Sequence, residues 1–170
     1  MAKRRVYWDS CAFLGLINGE AAKQAACRSV WNDAEKGYTE IYTSFFTFAE
    51  VYKAKCEGKA KPLVAAEEAK VVQFLQQEFI IGILVDEAIG IAARTLMRQY
   101  TECKKPSDAI HLASALRLNV DEMHTYDGSD LLKLSRKVHC QNGDPLMICP
   151  PSSEPKTTPT NMLLFGSDKH

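Results

Sequence analysis

At 170 residues the chain is long enough to bury a sizeable core in one domain. An apolar fraction of 46% and a charged fraction of 25% fit an ordinary soluble globular protein, and no run approaches the about 20 apolar residues of a membrane span. The formal net charge of zero excludes a global attraction to nucleic acid, so any such binding has to come from local patches.

Residues 3–8 read as a buried strand flanked by charge, and 12–17 as a short helix closed by Gly19. The basic start, Met1-Ala2-Lys3-Arg4-Arg5, reaches Asp9 too soon to be a signal peptide. Residues 21–36 have helical spacing and stop at Gly37. A second strand spans 40–43, and Ser44 is placed to cap a helix over 45–57 that Gly58 ends. That helix is apolar nearly all round, which predicts burial.

Pro62 opens a helix through about Gln77, residues 79–85 form a third strand, and 87–100 a further helix. Pro106 starts a helix to Leu118 with Ala109, Leu112, Ala113 and Leu116 as its core stripe. A fourth strand at 122–126, a short helix at 129–134 and an edge strand at 146–149 complete the pattern. Strands alternating with helices predict an α/β fold with a mostly parallel sheet of about five strands between helical layers. The domain is expected over 1–149, and 150–170 as a flexible tail rich in Pro, Ser and Thr. Six scattered cysteines at no metal-finger or redox spacing predict reduced thiols in the cytoplasm.

The chemistry is carried by acids. Asp9 and Asp127 follow predicted strands, where open parallel sheets form their ligand sites. Asp108 lies in the first turn of a helix, and Asp130 closely follows Asp127. Each has an ordinary explanation: a helix cap for Asp108, a turn for Asp127. Glu50, on an apolar helix, needs a partner, and Lys53 at i+3 is the simplest. If they meet, two such charges at about 4 Å cost about 4 kcal/mol at an effective dielectric of 20. A hard divalent cation, Mg²⁺ or Mn²⁺, resolves that repulsion and suits phosphoryl chemistry. His111, a turn after Asp108, reads first as a polar edge residue and second as a group that contacts substrate or orients a carboxylate. Basic groups at Lys3-Arg4-Arg5, Lys53/Lys55, Lys104-Lys105 and Arg136-Lys137 offer a rim for RNA backbone.

Four blocks in register, Val-Tyr-Trp-Asp9-Ser-Cys-Ala-Phe-Leu, Thr43-Ser44-Phe-Phe-Thr47-Phe-Ala-Glu50-Val-Tyr, Lys-Pro-Ser-Asp108-Ala-Ile-His-Leu-Ala and Thr125-Tyr-Asp127-Gly-Ser-Asp130-Leu, resemble the PIN-domain ribonucleases, most closely the VapC-type toxins of bacterial toxin–antitoxin pairs. The resemblance implies a three-layer α/β/α sandwich, usually a homodimer. It also implies Mg²⁺- or Mn²⁺-dependent cleavage of single-stranded RNA, and a cognate antitoxin as partner. Carried over by position, Asp9, Glu50, Asp108 and Asp127 become the catalytic, metal-holding acids, with Asp130 a weaker match. Ser10, Ser44, Lys104 and Lys105 become positions for substrate or water. The stretch 56–77 exceeds what a minimal member needs and is expected as a helical clip over the pocket. The alternatives are a PIN nuclease of RNA processing without an antitoxin, and an inactive PIN-like binding module. A response-regulator-like module fits poorly, because Asp9 is followed by Ser10 and Cys11, and residues 146–149 by Pro150-Pro151.

Overall fold

The computed structural model describes residues 3–52 and 65–156. Five strands, β1 (Arg4–Trp8), β2 (Thr39–Ser44), β3 (Ile80–Ile83), β4 (Glu122–His124) and β5 (Met147–Cys149), form one sheet in the order β3-β2-β1-β4-β5. Every pairing is parallel. Helices α1 (Ser10–Ile17), α2 (Ala21–Glu35), α3 (Thr47–Glu50), α4 (Ala65–Leu75), α5 (Glu87–Gln99) and α6 (Pro106–Leu118) connect them. A 3₁₀ turn, Leu131–Leu134, precedes β5.

Parallel strands buried on both faces need apolar residues at successive positions, and Val6, Tyr7 and Trp8 supply them. Val6 and Trp8 point into a core with Phe13, Leu16, Val30 and Trp31 from α1 and α2, joined by Leu75 of α4. Tyr7 points the other way, into a core with Ile89, Ala93 and Leu96 of α5 and Leu112 of α6. The result is the expected three-layer α/β/α sandwich. Trp31 anchors its side, stacked on Phe74 with ring centroids 4.5 Å apart.

The helix ends follow local chemistry. Asp9 and Asp86 cap α1 and α5, accepting from the N–H groups of Ala12 and Ile89. Pro106 opens α6, and Asn119, with φ of 49°, ends it in the left-handed conformation that Asn tolerates better than most residues. Arg117 grips both oxygens of Asp86, tying the end of α6 to the start of α5.

One helix departs from expectation. The apolar pattern predicts a continuous buried helix over 45–57 capped by Ser44, but Ser44 is the last residue of β2 and α3 is one turn long. Phe45 and Tyr52 are exposed, so the apolar pattern does not mark burial there. Residues 53–57 of that reading, and residues 56–64 of the expected clip, lie outside the described residues. The described part, α4, packs as a layer helix with Phe74 and Leu75 against the α1 and α2 core.

Beyond β5, the first residues of the Pro-rich stretch lie against the sheet. Pro151 is buried, Arg4 donates to the carbonyls of Ser152 and Ser153, and the backbone N–H of Lys156 donates to Glu122. Among the described residues no helix is long and apolar enough to cross a membrane.

Candidate active site

The strand order reverses at β1, whose neighbours β2 and β4 lead to opposite ends of the sheet. Doubly wound sheets form their crevice outside the carboxyl ends of strands at such a point. Asp9 immediately follows β1 there, and Asp127 lies three residues beyond β4. The first turn of α6 brings Asp108 to the same crevice, and the loop before the 3₁₀ turn brings Asp130. Single ligand oxygens of Asp108, Asp127 and Asp130 all lie within 4.8 Å of one another.

Lys105 joins these three acids. Its Nζ is 3.2 Å from Asp127, 3.4 Å from Asp130 and 3.5 Å from Asp108. Lys104 stands 4.0 Å from Asp130. Asp127 is held by the N–H groups of Ser129 and Asp130 and by the Ser129 hydroxyl. Asp108 Oδ2 is buried yet accepts no hydrogen bond.

Asp9, 2% exposed, and Glu50, at the end of α3, are not part of that three-acid cluster, and Glu50 is joined to α6 through His111. His111 Nε2 lies 2.7 Å from the Glu50 Oε2, and the nearby Ser10 and Ser107 side chains add to the pull that lowers the Glu50 carboxyl. Behind His111, Nδ1 lies 2.8 Å from the Tyr7 hydroxyl, which accepts from the Ser44 N–H. One set of protons satisfies this chain: Tyr7 donates to Nδ1, and Nε2–H donates to Glu50. Sequence reasoning ranked a polar edge residue first for His111; it is instead fully buried and orients a carboxylate. The signal was present, since i+3 from Asp108 turns the ring inward, but its partner came from 61 residues away. Ser44, fully buried, faces His111 rather than the crevice.

The electrostatics record the crowding. Burial pushes the Asp9 carboxyl up to about 6, against the lowering effects of His111, Thr125 and the Ala12 N–H, while Asp108 raises it further. Burial raises Asp108 too; Lys105 opposes this and Asp127 and Asp130 add to it. Cys11 sits among all four predicted acids: burial, then Asp9, Asp127, Asp108 and Glu50 push its thiol up to about 12. It is therefore no nucleophile near neutrality.

A pH dependence follows for metal-free protein. Asp9 binds its proton more tightly folded than unfolded, so the stability its protonated form contributes is full below the usual carboxylate range and is lost as pH rises through about 6. Glu122 is the opposite case, held at about 2 despite burial by His124 and Arg4, so its contribution is lost only as pH falls below the usual carboxylate range. Thermal unfolding in EDTA is expected to show rising stability from pH 7 toward 5, on the order of 2 kcal/mol, and a fall below about 4.

A second cluster, Glu122, His124 and Cys149, also has ligand atoms within 4.8 Å. It does not suit a cation. Arg4 already pairs with Glu122. His124 Nδ1 accepts from Trp8 Nε1, which leaves the proton on Nε2, the nitrogen that faces Glu122. Arg4, expected on a basic rim, is thus a partly buried structural residue, and Arg5 is spent on the carbonyls of Leu118 and Asn119. Cys11, Cys27, Cys103, Cys140 and Cys149 are free thiols.

The PIN-domain family model matches residues 6–136, more than half of the chain. This chain belongs to the PIN-domain family. Among solved structures, the Mycobacterium tuberculosis toxin VapC20, described as cleaving the sarcin–ricin loop, superposes with a TM-score of 0.57 at 13% identity, covering 72% of this chain and 90% of that one. At that identity the likeness speaks for the fold. No curated protein sequence matches. The PIN match spans every acid of the crevice, from Asp9 to Asp130.

Proposed function

We propose that this PIN-domain chain is a metal-dependent endoribonuclease that cleaves single-stranded RNA, acting as the toxin of a bacterial type II toxin–antitoxin pair. The observation that carries this reading is the meeting of Asp108, Asp127 and Asp130 beside Asp9 at the sheet's switch point. An all-oxygen donor set suits Mg²⁺ or Mn²⁺, and the buried Asp108 Oδ2, which accepts no hydrogen bond and has only the Lys105 ammonium at 3.5 Å, is a fitting ligand atom. Asp9, Glu50, Asp108, Asp127 and Asp130 would hold the cation. When bound, it would lower the pKa of water and offset charge on a phosphodiester.

The chain's own residues do the rest. His111 fixes the Glu50 carboxylate, with Ser10 and Ser107 close by. Lys104, 69% exposed at the rim, is placed to meet RNA phosphates. Residues 1–149 form the catalytic unit, and 150–170 an appended tail. The toxin reading, which starts from membership of the PIN-domain family, carries with it an antitoxin partner, a homodimeric state and a cytoplasmic setting.

Purified protein is expected to cut unstructured RNA with Mg²⁺ or Mn²⁺ and to stop in EDTA, activity returning when the metal is restored. Induced expression is expected to arrest growth. Cleavage undiminished by exhaustive chelation would overturn the metal-dependent reading, and unimpaired growth under strong expression of soluble protein would overturn the toxin role.

A further inference from the structure

The acidic crevice carries its own cation. Lys105 caps α6 with its backbone: its carbonyl accepts from the Ala109 N–H, and Pro106 fixes the turn that follows. That anchors the Cα while the side chain remains 56% exposed, held at its tip by carboxylates of Asp108, Asp127 and Asp130. An ammonium shared among three acids offsets one negative charge of three. It leaves Asp108 Oδ2 at 3.5 Å without a hydrogen bond. Such an arrangement lowers the repulsion of the empty crevice without meeting the demand of its oxygens.

We propose that Lys105 is an internal counter-ion that competes with a divalent cation for Asp108, Asp127 and Asp130, and so sets how tightly this chain takes its metal. The inference rests on the metal-dependent reading above. Two ions of like sign cannot share three ligand oxygens at these distances without strong repulsion. Metal binding therefore requires the ammonium to leave, and the exposed four-carbon stem lets it swing toward solvent without backbone movement. Lys104 differs in kind, since it approaches Asp130 alone at 4.0 Å.

The test uses the full chain and Mn²⁺ as the probe, with calorimetric titration and thermal unfolding run with and without the metal. Lys105→Met is expected to bind Mn²⁺ about fivefold more tightly than the natural protein, the scale of one ion pair near the surface. It is also expected to unfold at a lower temperature in EDTA, and to lose that deficit when Mn²⁺ is saturating, because a ligand bound to the folded state stabilises it in proportion to affinity. Lys105→Arg retains the charge and is expected to stay near the natural protein; Lys104→Met is expected to change affinity less. A purely structural lysine would leave the same deficit with and without metal. Equal Mn²⁺ affinity in Lys105→Met and the natural protein would overturn the counter-ion role while the metal site stands. No Mn²⁺ uptake by the natural protein would overturn both.

Discussion

Asp108→Asn is expected to lower RNA cleavage on the order of a thousandfold while leaving the fold intact. The change keeps the side chain's shape, so the first turn of α6, set by Pro106 and the Lys105 carbonyl, has no reason to shift. What it removes is charge. Asp108 is the acid whose buried Oδ2 has no hydrogen-bond partner, and burial together with Asp127 and Asp130 already pushes its carboxyl up. Neutralising it therefore relieves repulsion, and metal-free Asp108→Asn is expected to unfold at a slightly higher temperature than the natural protein. Metal-induced stabilisation is expected to vanish with activity. Asp9→Asn is the companion variant, because Asn caps a helix as well as Asp and α1 keeps its N-terminus. Single-turnover cleavage, with circular dichroism on the same samples, measures both. Full activity in either folded variant would remove these acids from the chemistry.

The sheet and most of its helices were legible because parallel strands and their covering helices leave simple traces. Val6, Tyr7 and Trp8 are a run of three apolar residues, and the Ala109 to Leu116 stripe has the helical period. The failure at residues 45–52 has a definite cause. Aromatics predict burial only if a layer covers them, and Phe45 instead lies exposed against the bare backbone of Gly82 in β3, where an added Cβ would stand 2.6 Å from its ring. The site was legible as a set of acids at strand ends, since topology alone carries Asp9 and Asp127 to one crevice. The hydrogen-bonded wiring behind it was not. Lys53 was the nearest cation to Glu50 along the chain, yet the contact within the described structure is with His111, whose distance in sequence no local pattern encodes. The basic runs were equally ambiguous: Lys104-Lys105 face the acids, whereas Arg4 and Arg5 are absorbed into the fold.

His111→Ala is expected to cost roughly 2–4 kcal/mol of stability and to weaken cleavage as well. The imidazole is 1% exposed and spans two elements, with Tyr7 of β1 on one nitrogen and Glu50 of α3 on the other. Truncation leaves a cavity, a buried phenol O–H that has lost the ring nitrogen it donates to, and a half-buried carboxylate with one anchor fewer. Burial by itself would raise the Glu50 carboxyl, but the hydrogen bond from His111, with the nearby Ser10 and Ser107, holds it below the ordinary range. A carboxyl held low stabilises the fold above its unfolded value, and that stabilisation disappears as pH falls through its folded value. The loss in His111→Ala should therefore be largest near neutrality and shrink in acid, measured as denaturant unfolding at pH 7 and pH 4. Tyr7→Phe removes only the hydroxyl, about 1–2 kcal/mol. If the three groups act as one chain, the double variant costs less than the sum of the two singles. Strict additivity would separate Tyr7 from Glu50 and reduce His111 to a packing residue.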